Sequence, residues 1–100
     1  MRTLLNIGDI IRIRGDIKED TPYEMILDTD CKNSWIKYEM LPAGTLVEIT
    51  GFSHGQYEVR RLEKVDSNLA PIDLPDSFWS YTDTMFDPEL LMILLEDRYN

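Results

Sequence analysis

The stretch TLVEITGFSHGQYEVRRLE, residues 45–63, predicts two β-strands joined by a tight turn. β-Branched residues crowd its first half, and in its second half Tyr57 and Val59 alternate with charged residues. A period of two residues is typical of strands that bury one face. The Ser-His-Gly turn at 53–55 places a glycine where hairpin loops need a positive φ. This segment therefore predicts an antiparallel β-hairpin as the centre of the fold.

The N-terminal half supplies fewer clear signals. Residues 8–16, GDIIRIRGD, alternate isoleucine with arginine and predict a half-buried strand. Residues 17–34 are polar and poorly periodic, so we expect a long loop, with a short strand or helical turn at 23–27. Residues 34–41 are compatible with a strand that runs into a turn at Pro42.

The C-terminal part alternates between loop and regular structure. Residues 64–77 contain two prolines and several turn-forming residues and predict a loop, and the aromatic segment 78–82 predicts a short strand. Asp87 is a good helix N-cap, and Pro88 is well suited to the first helical position. The sequence therefore predicts a helix over about 88–98.

Together these elements predict a mainly β fold, a small barrel of four to five antiparallel strands with a C-terminal α-helix. With 100 residues the chain has the length of one domain. We expect a single domain over residues 1–100, with the barrel at about 7–86. No apolar run approaches the ~18 residues that a membrane span requires. The lone Cys31 cannot form an internal disulfide, so we expect a cytoplasmic protein.

The charge of the chain bears on its partners. Ten basic and nineteen acidic residues give a net charge of −9, and residues 62–100 hold nine of the acids against two bases. Nucleic-acid binding needs basic residues that neutralise phosphates, so the balance argues against it. A basic protein partner would be attracted to the C-terminal part. A weaker alternative is direct nucleic-acid binding through four arginines on neighbouring strands, Arg12, Arg14, Arg60 and Arg61.

The sequence offers no recognisable catalytic, metal or cofactor site. His54 has no second histidine or cysteine at metal-ligand spacing, and acidic residues precede Cys31, which disfavours a reactive thiolate. No glycine-rich phosphate loop is present. We therefore expect a protein that is not an enzyme and binds no cofactor.

Several short motifs resemble a known group of proteins. Gly8-Asp9, Glu39-Met40, Ala43-Gly44 and the closing segment YTDTMFDP, residues 81–88, are similar to motifs of small SH3-like barrel proteins carried by phages, prophages and bacterial mobile elements. The resemblance covers about residues 7–88. It implies an SH3-like barrel and a phage-related accessory role, and it implies no catalytic residues. The loop 64–77 and the terminal helix are longer than in the pattern of that group.

The terminal helix carries six consecutive apolar residues, 90–95. A surface helix of a globular protein buries only a stripe, so this helix either lies in an intramolecular groove or meets a protein partner or a second copy. Aromatic residues of the barrel predict core packing, or alternatively a groove for an extended peptide. The candidate partner-binding residues are Leu91, Met92, Ile93, Leu95, Trp35 and Tyr81.

An alternative hypothesis uses the acidic residues. Carboxylates in loops and at a helix start are expected to be exposed, and a dense acidic face can imitate a nucleic acid and inhibit a host protein that binds DNA or RNA. Scattered acids also serve simply as a solvated surface. The candidate acidic face consists of Asp66, Asp73, Asp76, Asp83, Asp87 and Glu89.

Overall fold

A computed structural model describes residues 3–65, 68–72 and 80–99. Over these ranges the chain forms short strands, then a 3-10 turn and a C-terminal helix. The strands are β1 (Ile10–Arg12), β2 (Pro22–Met25), β3 (Asp28–Ser34), β4 (Leu46–Ser53), β5 (Gln56–Val65), β6 (Asn68–Ile72) and β7 (Ser80–Tyr81); the 3-10 turn is Asp83–Met85 and the helix is α1 (Pro88–Tyr99).

The predicted central hairpin is confirmed. β4 and β5 pair antiparallel, and Ser53 opposite Gln56 leaves a two-residue turn. His54 and Gly55 both have positive φ, 55° and 77°. Two consecutive positive φ angles match the twist of the flanking strands, so the local sequence alone places this turn correctly.

The sheet extends outward from this hairpin. Its order is β1-β4-β5-β6, and β7 also pairs with β5, while β2 and β3 form a separate two-stranded sheet. All of these pairings are antiparallel. The prediction of a mainly β fold with a C-terminal helix is thus confirmed. The described strands do not close into a barrel. One isolated bridge joins Ile13, directly after β1, to Phe86, directly after the 3-10 turn.

Two predicted loops contain strands. The long loop expected at 17–34 is wrong for most of its length, because residues 22–34 form the β2–β3 hairpin. Of the two alternatives at 23–27, the short strand is confirmed, since β2 spans Pro22–Met25. β3 is exposed or half-exposed throughout, and a strand without a buried face shows no apolar alternation. The loop expected at 64–77 is also wrong in part, since β6 occupies 68–72. Pro71 lies in β6, which is an edge of the sheet order, and edge strands tolerate proline.

The segment 34–41 does not continue as a strand beyond Ser34. Residues 37–39 form a turn, in which the amides of Glu39 and Met40 donate to the carbonyl of Ile36. Trp35, Met40 and Leu41 are buried. A turn rather than strand pairing therefore brings these three side chains into the core, while Ile36 and Tyr38 stay exposed.

Aromatic side chains from the closing segment fill the core. The rings of Tyr81 and Phe86 are stacked with centroids 6.1 Å apart, and Tyr57 lies 6.2 Å from Phe86. Met85 is fully buried beside them. Large rings bury the most apolar area in a small core, so core packing, rather than display on the surface, explains the aromatic closing motif.

Helix α1 begins as the sequence predicts. The Asp87 carboxylate accepts hydrogen bonds from the amides of Glu89 at 2.9 Å and Leu90 at 3.4 Å, which satisfies donors that the first helical turn leaves unpaired. The Asp87 amide donates to the carbonyl of Arg12 at 2.8 Å. At the other end, Arg98 donates to the carbonyl of Leu4 and to the Asp9 carboxylate. The helix is therefore fixed at both ends beside β1, which it contacts.

Candidate functional site: the outer face of helix α1

One face of α1 packs against the body of the protein. Leu91 is 5% exposed, and Leu94 and Leu95 are half-buried against the core. Arg98 follows at the same helical spacing and forms the contacts with Asp9 and Leu4. The candidates Leu91 and Leu95 therefore serve mainly to attach the helix, because a buried stripe of leucines is what holds a surface helix in place.

The opposite face is open. Met92 is 56% exposed and Ile93 is 61% exposed. Three exposed carboxylates lie one helical turn before or after this pair, those of Glu89, Glu96 and Asp97. Residues three and four apart are neighbours on a helix surface. These five residues are called the outer face of α1, and they form an apolar pair framed by negative charge.

Trp35 and Tyr81 do not belong to an exposed groove. Trp35 is 7% exposed and Tyr81 is fully buried. Both bind the backbone of Leu41: the Trp35 indole donates to its carbonyl at 2.9 Å, and the Tyr81 hydroxyl accepts its amide at 2.9 Å. Neither residue presents its ring on the surface, because their rings and polar atoms complete the core.

The proposed acidic face is only partly present. Asp83 is 1% exposed, which contradicts the expectation that it lies on the surface. Asp87 is half-buried and caps α1, and Glu89 is exposed. The other members of this candidate set, Asp66, Asp73 and Asp76, lie outside the described residues.

Asp83 holds the β2–β3 hairpin against the 3-10 turn. Its Oδ1 accepts the amide of Ile26 at 2.9 Å, and the next residue, Thr84, donates its hydroxyl to the carbonyl of Glu24 at 2.6 Å. The second oxygen, Oδ2, is buried and has no hydrogen-bond partner among the described residues. Burial raises the pKa of the Asp83 carboxyl, while backbone amides, that of Ile26 foremost, act in the opposite direction. This carboxyl is a structural group of the interior.

The arginines proposed for nucleic-acid contact do not form an unoccupied row. Arg14 forms an ion pair with Asp16 at 2.8 Å, and Arg60 forms one with Glu48 at 3.4 Å across the β4–β5 pair. The Arg14–Asp16 hydrogen bond raises the pKa of Arg14 and lowers that of Asp16. Arg12 is exposed on β1. Two of these four cations are thus partly neutralised by neighbouring carboxylates.

Within residues 3–65, 68–72 and 80–99 no group of three or more histidine, cysteine, aspartate or glutamate side chains could hold a metal ion. The exposed His54 bonds its ring nitrogen to the Ser53 hydroxyl at 2.8 Å. The half-buried Cys31 lies 3.3 Å from the carbonyl oxygen of Gly55. No helix among the described residues is long and apolar enough to cross a membrane.

The sequence pattern did not predict two parts of this surface. Glu96 and Asp97 frame the apolar pair of α1, and their spacing of three to five residues from Met92 and Ile93 was the available signal. Ile26 and Leu27, at the tip of the β2–β3 hairpin, are 46% and 49% exposed. No sequence signal pointed to them, because the hairpin itself was not predicted.

Comparisons with protein-family models, with curated proteins and with solved structures find no match to this chain.

Proposed function

We propose that this protein is a non-enzymatic module that binds another protein through the outer face of α1. The observation that carries the proposal is the exposed pair Met92–Ile93 on a helix whose other face is already packed. Exposed apolar side chains that adjoin one another often mark an interaction surface. Because Leu91 and Arg98 fix the helix to the body of the protein, the pair is presented on a rigid support.

We propose more specifically that the protein is an SH3-like module and acts as an accessory protein of a phage or mobile element. The motifs at 8–9, 39–40, 43–44 and 81–88 support it. The sheet path β1-β4-β5-β7 and the bridge from Ile13 to Phe86 also support it, because they bring the first and last parts of a small β-structure together.

The acidic-mimic hypothesis has less support. The net charge of −9 favours it, but Asp83 is buried and Asp87 is engaged in capping α1. A carboxylate inside the core cannot imitate a phosphate on a surface. Of the three members of that face among the described residues, Asp83, Asp87 and Glu89, only Glu89 is exposed.

The test is affinity capture of proteins from a bacterial lysate, followed by elution at increasing salt. The variant M92Q/I93Q removes the apolar pair and keeps good helix-forming residues. The matched control is I26Q/L27Q, which changes a second adjacent exposed apolar pair of the described residues, at the tip of the β2–β3 hairpin. Salt weakens contacts between exposed charges and leaves apolar contacts intact.

We expect a partner that resists high salt with the wild type and with I26Q/L27Q and is lost with M92Q/I93Q. Equal capture by all three proteins contradicts the proposal. A nucleic-acid-binding protein that elutes from all three at moderate salt, and that added DNA or RNA displaces, supports the acidic-mimic hypothesis instead.

A further inference from the structure

We infer that the occupant of the outer face of α1 is a cationic amphipathic helix of a partner protein, and not a second copy of this chain. This inference rests on the proposed function and specifies the chemistry of the partner. It is carried by the arrangement of charges around Met92 and Ile93.

Carboxylates lie one helical turn before the apolar pair and one turn after it. Glu89 lies three residues before Met92 and four before Ile93, and Glu96 lies four and three residues after them. Asp97 lies four residues after Ile93. The outer face holds no basic residue: Arg98, the basic residue of α1, points to the inner side and binds Asp9 and Leu4.

A second copy of the protein fits this frame poorly. In an antiparallel contact between two α1 helices, Glu89 of one copy lies near Glu96 or Asp97 of the other. In a parallel contact each carboxylate lies near its own equivalent. Both arrangements bring like charges together without a compensating cation, and like-charge contacts suppress association.

A partner with lysine or arginine around an apolar centre satisfies both features. Its apolar side chains cover Met92 and Ile93, and its cations meet the three surrounding carboxylates. The face of a helix is convex, and packing by a second helix is an ordinary way to cover such a surface. The net charge of −9 also accelerates the approach of a cationic partner.

The inference is tested with a fluorescent model helix made of leucine and lysine, with the leucines on one face. A peptide of the same composition in scrambled order and a leucine–glutamate helix are the peptide controls. Binding is measured by fluorescence anisotropy at low and at physiological ionic strength.

Two variants of the protein address the two features of the site, M92Q/I93Q for the apolar pair and E89Q/E96Q/D97N for the frame. Each has a matched control elsewhere on the surface: I26Q/L27Q for the first, and E19Q/D20N/E39Q for the second. The control acids are exposed and lie outside α1. Asparagine suits position 20, where φ is +58°. The two charge variants have the same net charge, so long-range attraction is equal in both.

We expect the leucine–lysine helix to bind the wild type and both controls alike, and to bind M92Q/I93Q and E89Q/E96Q/D97N about tenfold more weakly, the loss that ~1.4 kcal/mol of binding energy gives. Equal weakening by E89Q/E96Q/D97N and E19Q/D20N/E39Q means that only total charge matters and overturns the inference. Unchanged binding to M92Q/I93Q, or equal binding of the scrambled or leucine–glutamate peptide, also overturns it.

Sedimentation velocity of the wild type tests separately whether a second copy of the chain occupies the outer face of α1. We expect a monomer; a dimer that M92Q/I93Q dissociates identifies a second copy as the occupant and overturns the inference. The lysate experiment distinguishes failure of the proposed partner chemistry from failure of the proposed function. Capture that needs Met92 and Ile93, combined with failure of the cationic helix, refutes the partner chemistry alone, whereas capture independent of both residues refutes the proposed function.

Discussion

The carboxylate of Asp83 accepts a hydrogen bond from the amide of Ile26, a residue 57 positions earlier in the chain. The bond joins the 3-10 turn before α1 to the tip of the β2–β3 hairpin. Because the carboxyl is buried and one of its oxygens has no partner among the described residues, its charged form is poorly accommodated. The stability of the fold is therefore expected to depend on whether the Asp83 carboxyl is protonated.

We predict that the stability of wild-type protein relative to D83N increases as the pH falls. Burial raises the pKa of Asp83 above its ordinary value of 3.8 in the folded state. A raised pKa favours folding where the group is protonated, and this contribution is lost as the pH rises through the folded-state value. Asparagine keeps an oxygen acceptor for the Ile26 amide but does not titrate. The free energy of unfolding of both proteins is measured by denaturant titration from neutral pH down to about pH 4.

Asp16 provides a control of opposite sign. Its hydrogen bond with Arg14 lowers the pKa of Asp16, so wild-type protein loses stability relative to D16N as the pH falls. The effect is small because Asp16 is exposed. A wild-type–D83N difference that is constant with pH, or that has the sign expected for D16N, contradicts the assignment of Asp83.

A second prediction concerns the hydroxyl of Tyr57, which accepts the amides of Leu4 at 3.1 Å and Leu5 at 3.2 Å. The substitution Y57F keeps the ring and leaves these two amides without that acceptor. We expect a loss of about 1–3 kcal/mol in the free energy of unfolding, the usual cost of unsatisfied buried groups. The matched control is Y38F, since Tyr38 is 88% exposed, and it should change stability by less than ~0.5 kcal/mol. Equal stability of the two variants would exclude an anchoring role for Tyr57.

The third prediction separates the two faces of α1. L91A should destabilise the protein by about 2–5 kcal/mol, because it removes a buried side chain and leaves a cavity. M92Q/I93Q should leave the free energy of unfolding within about 0.5 kcal/mol of the wild type, since both side chains point to solvent. Thermal and denaturant unfolding measure both effects. A large destabilisation by M92Q/I93Q would mean that the outer face is packed against the protein.

A fourth prediction concerns the contact between Arg98 and Asp9, whose side chains are 23% and 11% exposed. A double-mutant cycle with R98M and D9N should give a coupling energy of about 0.5–3 kcal/mol, as expected for residues in direct contact. In R98M we also expect faster hydrogen exchange at the amides of the last helical turn, because that end of α1 loses its attachment to Leu4 and Asp9. Additive single effects with unchanged exchange would argue against this attachment.

Local signals predicted part of the fold. The β4–β5 hairpin follows from alternation and from Gly55, and the start of α1 follows from Asp87 and Pro88, because the groups that decide these features are neighbours in the chain. β3 was missed because its side chains are mostly exposed and carry no apolar period. β6 was missed because Pro71 suggested a loop, although an edge strand accepts proline.

The candidate site was predictable only in outline. The six apolar residues at 90–95 indicated a helix with an additional apolar side, but the sequence could not separate the inward Leu91 from the outward Met92 and Ile93 without the position of the body of the protein. The burial of Asp83 depends on Ile26, far away in sequence, and composition alone suggests a surface acid. Trp35 and Tyr81 are buried by their shared contact with Leu41, which is likewise non-local.

The position of α1 beside β1 has a consequence for aggregation. The carbonyl of Arg12 points away from β4 and is occupied by the amide of Asp87, at the point where the helix begins. A chain that lost both Asp87 and α1 would leave this part of β1 open, and an unpaired strand edge is a template for strand addition by another molecule. Asp87 and α1 therefore protect this edge of β1 from edge-to-edge polymerisation. A partner that binds the outer face of α1 leaves this protection intact.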